Sequence, residues 1–348
     1  MRLFHNDYNE MCHSEVLRYM LEISSKQMAG YGQDDCCNAA AQQIKRLCKD
    51  DALSVHFLVG GTQTNLTVIA ASLRPHQAVI GAHSAHIQVH ETGAIEATGH
   101  KVLSLPSDDA KITADQIRST LREHLEDVTR EHIAQPKMVY ISQPTELGTT
   151  YSLQELECIS KVCKEYGLYL FVDGARLGYA LTAADNDVAL EDLARLTDVF
   201  YIGGTKVGAM FGEAVVISNA AIAEDFRYII KQRGAMLAKG WLLGAQFEAL
   251  LKDGLYFSIS EYANRLADKL RKTITELGYP ITVQNRTNQV FTILPNRVLN
   301  ELEKEFSFAP WGAVDDGHTA VRFCTSWATK EDALDALCDA LTKITANS

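Results

Sequence analysis

The chain has 348 residues, of which 47% are hydrophobic and 22% are charged. This composition is ordinary for a globular protein, and the length suits a large domain accompanied by a smaller one. Acidic residues outnumber basic ones by 44 to 33, and the net charge of −11 argues against nucleic acid or an acidic membrane surface as the main partner.

The eight cysteines are scattered and form no Cys-x-x-Cys pair, which indicates reduced thiols rather than a disulfide framework or a zinc ribbon. No apolar run reaches the length of a membrane span, and the first residues lack the basic and apolar regions of a signal peptide. We therefore expect a cytoplasmic protein.

Up to about residue 247, apolar runs alternate with helical patterns. The predicted strands are 55–59, 78–81, 101–105, 137–142, 168–173, 198–203 and 214–217, and the predicted helices are 63–73, 114–128, 153–165 and 188–196. The runs are continuous rather than alternating, which is typical of parallel strands buried on both faces. This repetition predicts an α/β domain with a mostly parallel central sheet.

The pattern changes near residue 248. Predicted helices at 255–277, 298–306 and 330–344 enclose predicted strands at 281–283, 289–294 and 321–324. We expect an N-terminal arm and large domain over residues 1–247, followed by a small α+β domain over residues 248–348.

Polar residues follow the predicted strands at 60–63, 82–83, 143–146, 173–176 and 204–206. In an open parallel sheet, ligands bind outside the carboxyl ends of the strands. A functional site is therefore expected at this edge.

Asp173 and Lys206 each end a predicted strand, and Lys206 is flanked by glycines. Alone, the aspartate is typical of a turn and the lysine of a solvated hairpin. Together they match pyridoxal phosphate chemistry, in which a lysine amine binds the cofactor and a carboxylate pairs with its ring nitrogen. Gly61 and Thr62 form a turn before the predicted helix at 63–73, and the free N–H groups at the helix start, with the Thr62 hydroxyl, could bind the phosphate.

Three histidines, His83, His86 and His90, lie at i, i+3 and i+7. One helical face could hold three imidazoles around a metal ion, so a metal-dependent hydrolase stays open as an alternative. The segment contains no His-Glu-x-x-His motif, and one histidine stacked on a flat cofactor is the favoured interpretation. We expect no metal site.

In chain order, several motifs resemble the low-specificity threonine aldolases, in the β-eliminating-lyase branch of the fold-type-I pyridoxal phosphate enzymes. The motifs are Gly61-Thr-Gln-x-Asn65, His86-Ile with Glu91 and Gly93, Asp173-Gly-Ala-Arg176-Leu, and Thr205-Lys206. The resemblance extends from about residue 5 to residue 322.

The resemblance implies a role for each matching residue. Lys206 is the Schiff-base lysine, Asp173 holds the pyridinium nitrogen, and His86 stacks on the ring. Gly61 and Thr62 bind the cofactor phosphate.

The substrate residues implied by the resemblance lie elsewhere in the chain. Arg176 lies near the phenolic oxygen of the cofactor and the substrate carboxylate, Arg322 holds that carboxylate, and Asn6 contacts it. Tyr31 reaches the active site of a neighbouring subunit, in a homodimer or homotetramer.

Two positions depart from the family pattern. Glu146 stands where a histidine near the β-hydroxyl is usual, which is similar to the branch that includes phenylserine aldolases. A buried carboxylate with a raised pKa could serve as general base there. Leu237 replaces an arginine that reaches a neighbouring subunit's phosphate, so Lys231 or Arg233 must substitute or the contact is absent.

The resemblance implies an aldolase that cleaves L-threonine, L-allo-threonine or phenylserine-like amino acids to glycine and an aldehyde. Lys206, Asp173 and either His86 or Glu146 would carry the reaction. The nearest alternative keeps pyridoxal phosphate but eliminates the β-substituent of a tyrosine, tryptophan or cysteine type of substrate. A non-catalytic relative is a further alternative.

Overall fold

The computed structural model describes residues 1–347, and its largest sheet has seven strands. These strands are β2 (Ser54–Leu58), β3 (Gln77–Ala82), β4 (Lys101–Leu105), β5 (Gln135–Ser142), β6 (Tyr169–Asp173), β7 (Val199–Gly203) and β8 (Glu213–Ile217), after a short β1 (Arg2–Leu3) outside this sheet. Their order is β2-β8-β7-β6-β5-β3-β4, and only β8 runs antiparallel to its neighbours. The predicted mostly parallel α/β sheet is confirmed.

Helices separate these strands along the chain. They are α1 (Ser14–Ile23), α2 (Asp35–Cys48), α3 (Gly61–Ser72), α4 (His86–Val89), α5 (Ala114–Glu126), α6 (Leu153–Tyr166), α7 (Leu177–Leu181), α8 (Leu190–Leu196), α9 (Ala220–Ala223), α10 (Phe226–Gln232) and α11 (Trp241–Leu251). Every residue of β3, β7 and β8 is buried, as the continuous apolar runs predicted. Single 3₁₀ turns occupy Glu96–Thr98, Arg130–His132 and Lys252–Gly254.

The starts of two helices show how local sequence sets the elements. Helix α6 begins with the capping box expected from Ser152 and Glu155, in which each residue's side chain accepts from the other's backbone N–H. Helix α3 begins two residues earlier than predicted, with Gly60 as its N-cap and no side chain in the cap. The N–H groups of its first turn are therefore left for a ligand.

The C-terminal part forms a second, antiparallel sheet of three strands in the order β11-β12-β9. Its elements are α12 (Leu255–Glu276), β9 (Gln289–Pro295), α13 (Asn296–Leu302), β10 (Phe306–Ser307), β11 (Ala309–Asp315), β12 (His318–Cys324) and α14 (Glu331–Ala346). The strand predicted at 281–283 is wrong, because only a single bridge from Ile281 to Thr292 forms there. The N-terminal strand β1 pairs with β10, so the chain's start packs on this part.

Two hydrophobic cores underlie the two sheets, and α12 contributes to both. Its first half, with Tyr256 and Ala263, packs in the core around the large sheet. Its second half, with Leu266 and Ile274, packs in the core around the small sheet, together with Phe4. The domain division between residues 247 and 248 stays a prediction. None of the helices in residues 1–347 has the length and apolar character needed to cross a bilayer.

Candidate active site

The carboxyl edge of the large sheet opens into a cavity of about 580 Å³. The predicted residues that line it are Gly61, Thr62, His86, Glu146, Asp173, Arg176, Lys206 and Arg322. They come from both sheets, because Arg322 lies on β12 and the others follow strands of the large sheet.

Asp173 is buried at the end of β6, where four donors or hydroxyls surround its carboxylate. Its Oδ1 accepts from the Ala175 N–H at 2.9 Å, and its Oδ2 accepts from the Asn65 amide at 3.1 Å and from the Tyr140 hydroxyl. Burial alone would raise the pKa of Asp173, but the hydrogen bonds from Tyr140 and Ala175, with the nearby Tyr201 hydroxyl, lower it. Asp173 is therefore an ionised carboxylate in the floor of the cavity.

Lys206 lies in the turn between β7 and β8. Gly203, the last residue of β7, has to be a glycine because its surroundings leave no room for a side chain. A Cβ on Gly203 would lie 2.3 Å from the Ala175 carbonyl oxygen, which is closer than packed atoms approach. The Tyr179 hydroxyl donates to the Lys206 carbonyl at 2.6 Å and fixes the turn.

The pKa of the Lys206 amine is lowered by burial and by the positive charge of Arg176. The carboxylates of Asp7 and Asp173 oppose this shift without reversing it. A lysine whose ammonium form is disfavoured has more of its neutral, nucleophilic form at neutral pH.

The start of α3 offers an anion site, as the sequence predicted for Gly61 and Thr62. The helix has 12 residues and no side-chain cap, so the dipole and the first N–H groups face the cavity. The Tyr201 hydroxyl is buried without a hydrogen-bond partner and lies 3.3 Å from where a Cβ on Gly61 would be. Open N–H groups at the start of a helix fit a phosphate oxygen.

His86 is oriented by a chain of buried polar groups. Its Nδ1 lies 2.7 Å from Oε1 of Glu91, which also accepts from the Asn65 amide at 2.7 Å. Because a carboxylate only accepts, the proton sits on Nδ1 and Nε2 is left for another partner. Asn65 thus connects the His86 pair to Asp173.

The other two histidines of the segment differ in position, because His90 lines the cavity with His86 whereas His83 does not. Nδ1 of His83 accepts from the Ser107 N–H at 3.2 Å, whereas the His90 ring packs 5.6 Å from the His86 ring. Within residues 1–347, no group of three His, Cys, Asp or Glu side chains is placed to hold a metal ion.

Glu146 lies in the loop after β5 and lines the cavity beside His86. Its Oε1 accepts from the Ser142 hydroxyl at 2.8 Å and from the His86 backbone N–H at 2.9 Å. Burial raises the pKa of Glu146 above its usual value, and these hydrogen bonds only partly offset it. The raised pKa that a general base requires is therefore present.

The two arginines are held by partners that the sequence did not indicate. Arg176 is paired with buried Asp7, through Nε at 2.7 Å and Nη2 at 3.0 Å. Burial would raise the pKa of Asp7, but the Arg176 charge and hydrogen bond lower it. Asp7 directly follows the predicted Asn6, and this position was the only sequence signal that Asp7 belongs to the site.

Arg322 projects from β12 into the cavity. Its Nη1 donates to Oε1 of Gln289 at 3.1 Å, its Nη2 donates to the His5 carbonyl at 3.1 Å, and its guanidinium lies 5.1 Å from the Trp311 ring centroid. Its Nε is buried without a partner. A guanidinium fixed on two sides with an unused N–H suits a substrate carboxylate.

Glu213 is a cavity residue that sequence reasoning missed. It accepts from the Gly204 N–H at 3.2 Å and from the Thr205 hydroxyl at 3.0 Å. Burial raises its pKa to about 8, against the opposing positive charge of Lys206. The predicted strand began at residue 214 and left Glu213 out. A charged residue directly before that apolar run was the signal that could have identified it.

Asn6 and Tyr31 do not line the cavity. Asn6 accepts from the Tyr8 N–H at 3.0 Å, and Tyr31 is exposed, with the Lys231 ammonium 5.1 Å from its ring centroid. Tyr31 and Leu237 border a separate cavity of about 120 Å³. The substrate contact of Asn6 and the intersubunit roles of Tyr31, Lys231 or Arg233 stay predictions.

Comparison with known proteins places this arrangement in a family. The model of the beta-eliminating lyase family matches residues 12–296. A low-specificity L-threonine aldolase of a Pseudomonas species is 31% identical over 94% of this chain and 92% of its own. The threonine aldolase structure of Leishmania major is 47% identical, has a TM-score of 0.97, and matches over 99% of this chain and 100% of that one. A histidinol-phosphate aminotransferase of Clostridium acetobutylicum, 14% identical with a TM-score of 0.75, shares the fold.

The chain belongs to the beta-eliminating lyase family, and its fold is that of the fold-type-I enzymes. These enzymes depend on pyridoxal 5'-phosphate, and the cavity fits that cofactor. The residues predicted to serve its ring nitrogen, its covalent attachment and its phosphate lie together in this cavity, and their roles stay predictions: they are Asp173, Lys206 and the start of α3.

Proposed function

We propose that this enzyme is an L-threonine aldolase that cleaves β-hydroxy-α-amino acids to glycine and an aldehyde. The observation that carries the proposal is one cavity that holds Asp173, Lys206, a buried Glu146 and a partly unsatisfied Arg322. The names of the Pseudomonas and Leishmania relatives agree with it.

Bound at this site, pyridoxal phosphate supplies an electron sink for the negative charge left on Cα when the Cα–Cβ bond breaks. Asp173 keeps the ring nitrogen protonated, because its own pKa is lowered and it stays ionised. Lys206 provides the covalent attachment, Gly61 and Thr62 bind the phosphate, and His86 stacks on the ring.

Arg322 binds the substrate carboxylate, and Arg176 faces the same cavity. Since Asp7 occupies two nitrogens of Arg176, its Nη1 is the nitrogen left for cofactor or substrate. Fixing the carboxylate sets which bond to Cα is aligned for cleavage, so these arginines orient the substrate.

Glu146 accepts the proton of the β-hydroxyl. As the O–H bond breaks, its electron pair forms the carbonyl of the aldehyde, the Cα–Cβ bond breaks, and a proton added at Cα gives glycine. A buried carboxylate with a raised pKa is well matched to this transfer near neutral pH. His86, whose backbone N–H holds Glu146, is the second candidate for proton transfer.

Aromatic β-substituents belong to the proposed substrate range, as expected for a phenylserine-like branch. Tyr8, Phe211 and Trp311 line the cavity, and Trp311 lies against Arg322 at the carboxylate end. Aromatic walls favour a phenyl group through area burial and edge contacts.

A cytoplasmic location and a homodimer or homotetramer with shared active sites complete the proposal. All eight cysteines are free, which suits a reducing compartment. Tyr8 lines the cavity and Tyr31 lies outside it. Both are large exposed side chains, as an interface between subunits would require.

The test uses purified, cofactor-loaded protein with L-threonine, L-allo-threonine or phenylserine, and assays glycine and aldehyde together. Equal amounts of the two products, lost in Lys206→Ala, support the proposal. Pyruvate and ammonia without glycine would instead identify a β-eliminating lyase, and no turnover of any of the three substrates would exclude the aldolase.

A further inference from the structure

One short segment, which leads into strand β9 of the small sheet, contacts three separate parts of the chain that carry or hold cavity residues. It comprises residues 285–289, of which Asn285, Thr287, Asn288 and Gln289 are polar and buried. Buried polar side chains are expensive unless they are hydrogen-bonded, so the partners of such a run show its purpose.

The first wall is the loop that carries Glu146. The Asn285 amide donates to the Leu147 carbonyl at 3.0 Å, and the Thr287 hydroxyl donates to the Gly148 carbonyl at 2.9 Å. Gly148 has a φ of +78°, and a Cβ there would lie 2.7 Å from the Thr287 hydroxyl oxygen. The loop is therefore closely fitted against the segment immediately after the proposed base.

The second and third walls carry the two arginines. The Asn288 amide donates to Asp7 Oδ2 at 2.8 Å, and Asp7 in turn holds Arg176. The next residue, Gln289, accepts from Nη1 of Arg322 at 3.1 Å. Different residues of the segment thus contact the loop after Glu146, the Asp7 partner of Arg176, and Arg322 itself.

The segment is itself held from α12. Arg271, buried on that helix, donates through Nη2 to Asn285 Oδ1 at 2.8 Å, to the Gln289 carbonyl at 3.2 Å, and to the Thr287 carbonyl. A planar guanidinium bound to both ends of the segment fixes its path more rigidly than the loop's own backbone could.

We propose that the buried residues of this segment, Asn285, Thr287, Asn288 and Gln289, are positioning residues that set Glu146, Arg176 and Arg322 at fixed mutual distances around the substrate. This inference rests on the proposed function for its kinetic consequences. The contacts predict separable effects, because Thr287 acts on the loop of the base and Gln289 acts on the carboxylate-binding arginine.

The test compares cofactor-loaded Thr287→Val and Gln289→Met with Arg286→Gln as the matched control. Arg286 lies among the buried residues of the segment, but its side chain is exposed and pairs with Asp268, whose contact with Arg271 the variant leaves in place. Loss of one hydrogen bond should change a rate or a binding constant about three- to tenfold. We expect Thr287→Val to lower kcat by that factor with KM nearly unchanged, and Gln289→Met to raise KM with a smaller effect on kcat.

Amide hydrogen exchange over residues 143–149 provides a readout that does not depend on activity. The turn bonds there, from the Gly148 N–H to the Thr145 carbonyl and from the Thr145 N–H to the Thr149 carbonyl, should open more often in Thr287→Val. Thr287→Ser, which keeps the hydroxyl, should restore slow exchange and kcat. Arg286→Gln should match the wild type.

The proposal is overturned if Thr287→Val and Gln289→Met behave like Arg286→Gln in both exchange and kinetics. If Thr287→Val does not fold, an unchanged KM in Gln289→Met overturns it, since that variant leaves the Gly148 contact intact. If the wild type cleaves no β-hydroxy amino acid, the proposed function fails, while the exchange measurement still decides whether the segment positions the Glu146 loop.

Discussion

At the scale of single residues, the balance between burial and hydrogen-bond donors sets the pKa of the Asp173 and Glu146 carboxyl groups. Asp173 keeps its charge because donors surround it, whereas Glu146 has fewer donors and a raised pKa. The pKa values of the two carboxyl groups therefore shift in opposite directions although both lie in one cavity. Such separation by environment is how an enzyme obtains an ion-pair partner and a proton acceptor from the same residue type.

Glu146→Gln should lower kcat by about 100-fold or more, because general-base catalysis typically contributes that factor and an amide cannot accept the proton. Since the pKa of Glu146 is raised, the base is protonated at low pH and the acidic limb of kcat should lie above about pH 4.3, the ordinary glutamate value. The kcat–pH profile of the wild type and the cofactor absorbance of both proteins check this. If Glu146→Gln keeps both the wild-type kcat and the acidic limb of its pH profile, Glu146 is not the base. His86 is then the next candidate.

Glu213→Gln should change how stability depends on pH. The pKa of Glu213 is raised to about 8 in the folded protein, above about 4.3 when unfolded, so its protonated form stabilises the fold at low pH. That contribution is lost as the pH rises through this window, and the uncharged glutamine should not show the loss. Urea denaturation at pH 5 and pH 8 should therefore show the free energy of unfolding of the wild type falling relative to that of the variant. Parallel changes in the two proteins would contradict the assigned shift.

At the scale of elements, the strands and most helices follow from local patterns, whereas the partners of the functional groups do not. The last residues of β4, β5, β6 and β7 were predicted correctly, because the apolar runs stop where the buried part of the sheet stops. The contact between Asn288 and Asp7 joins residues 281 positions apart, and no local period encodes such a pairing. Asp173 and Lys206 were predictable only because Asp173 ends β6 and Lys206 follows closely after the neighbouring parallel strand β7.

The N-terminal segment shows what that non-local pairing contributes. Asp7→Asn would leave the Arg176 guanidinium without its counter-charge in a buried site, and breaking such a pair costs about 3–5 kcal/mol. We expect that loss in the free energy of unfolding, together with a raised KM, because Arg176 would no longer be held at the cavity. Chemical denaturation and steady-state kinetics measure the two effects. Glu10→Gln, at an exposed position of the same segment, is the control and should leave both unchanged.

At the scale of the whole molecule, the cavity lies between two units that share structural elements. Helix α12 contributes to both hydrophobic cores, and β1 pairs with a strand of the C-terminal part. Glu146, the proposed base, lies in the loop after β5 of the large sheet, whereas Arg322 lies on β12 of the small sheet. Any change in the angle between the sheets would therefore alter the distance between the proton acceptor and the carboxylate site.

The proposed sharing of active sites between subunits can be tested by mixing two inactive variants. Lys206→Ala removes the attachment of the cofactor, and Tyr31→Ala removes the side chain expected to reach the neighbouring site. If Tyr31 acts across the interface, a mixed dimer contains one site with both residues intact. Random exchange makes about half of the dimers mixed, so about a quarter of the wild-type activity should return.

Unfolding and reassociating the two variants together, followed by the glycine and aldehyde assay, measures this recovery. The same procedure applied to each variant alone should give no activity. Absence of recovery in the mixture, when mass spectrometry shows that mixed oligomers have formed, would place the action of Tyr31 within its own chain. Full activity of Tyr31→Ala before mixing would remove Tyr31 from the site altogether, consistent with its position outside the cavity of its own subunit.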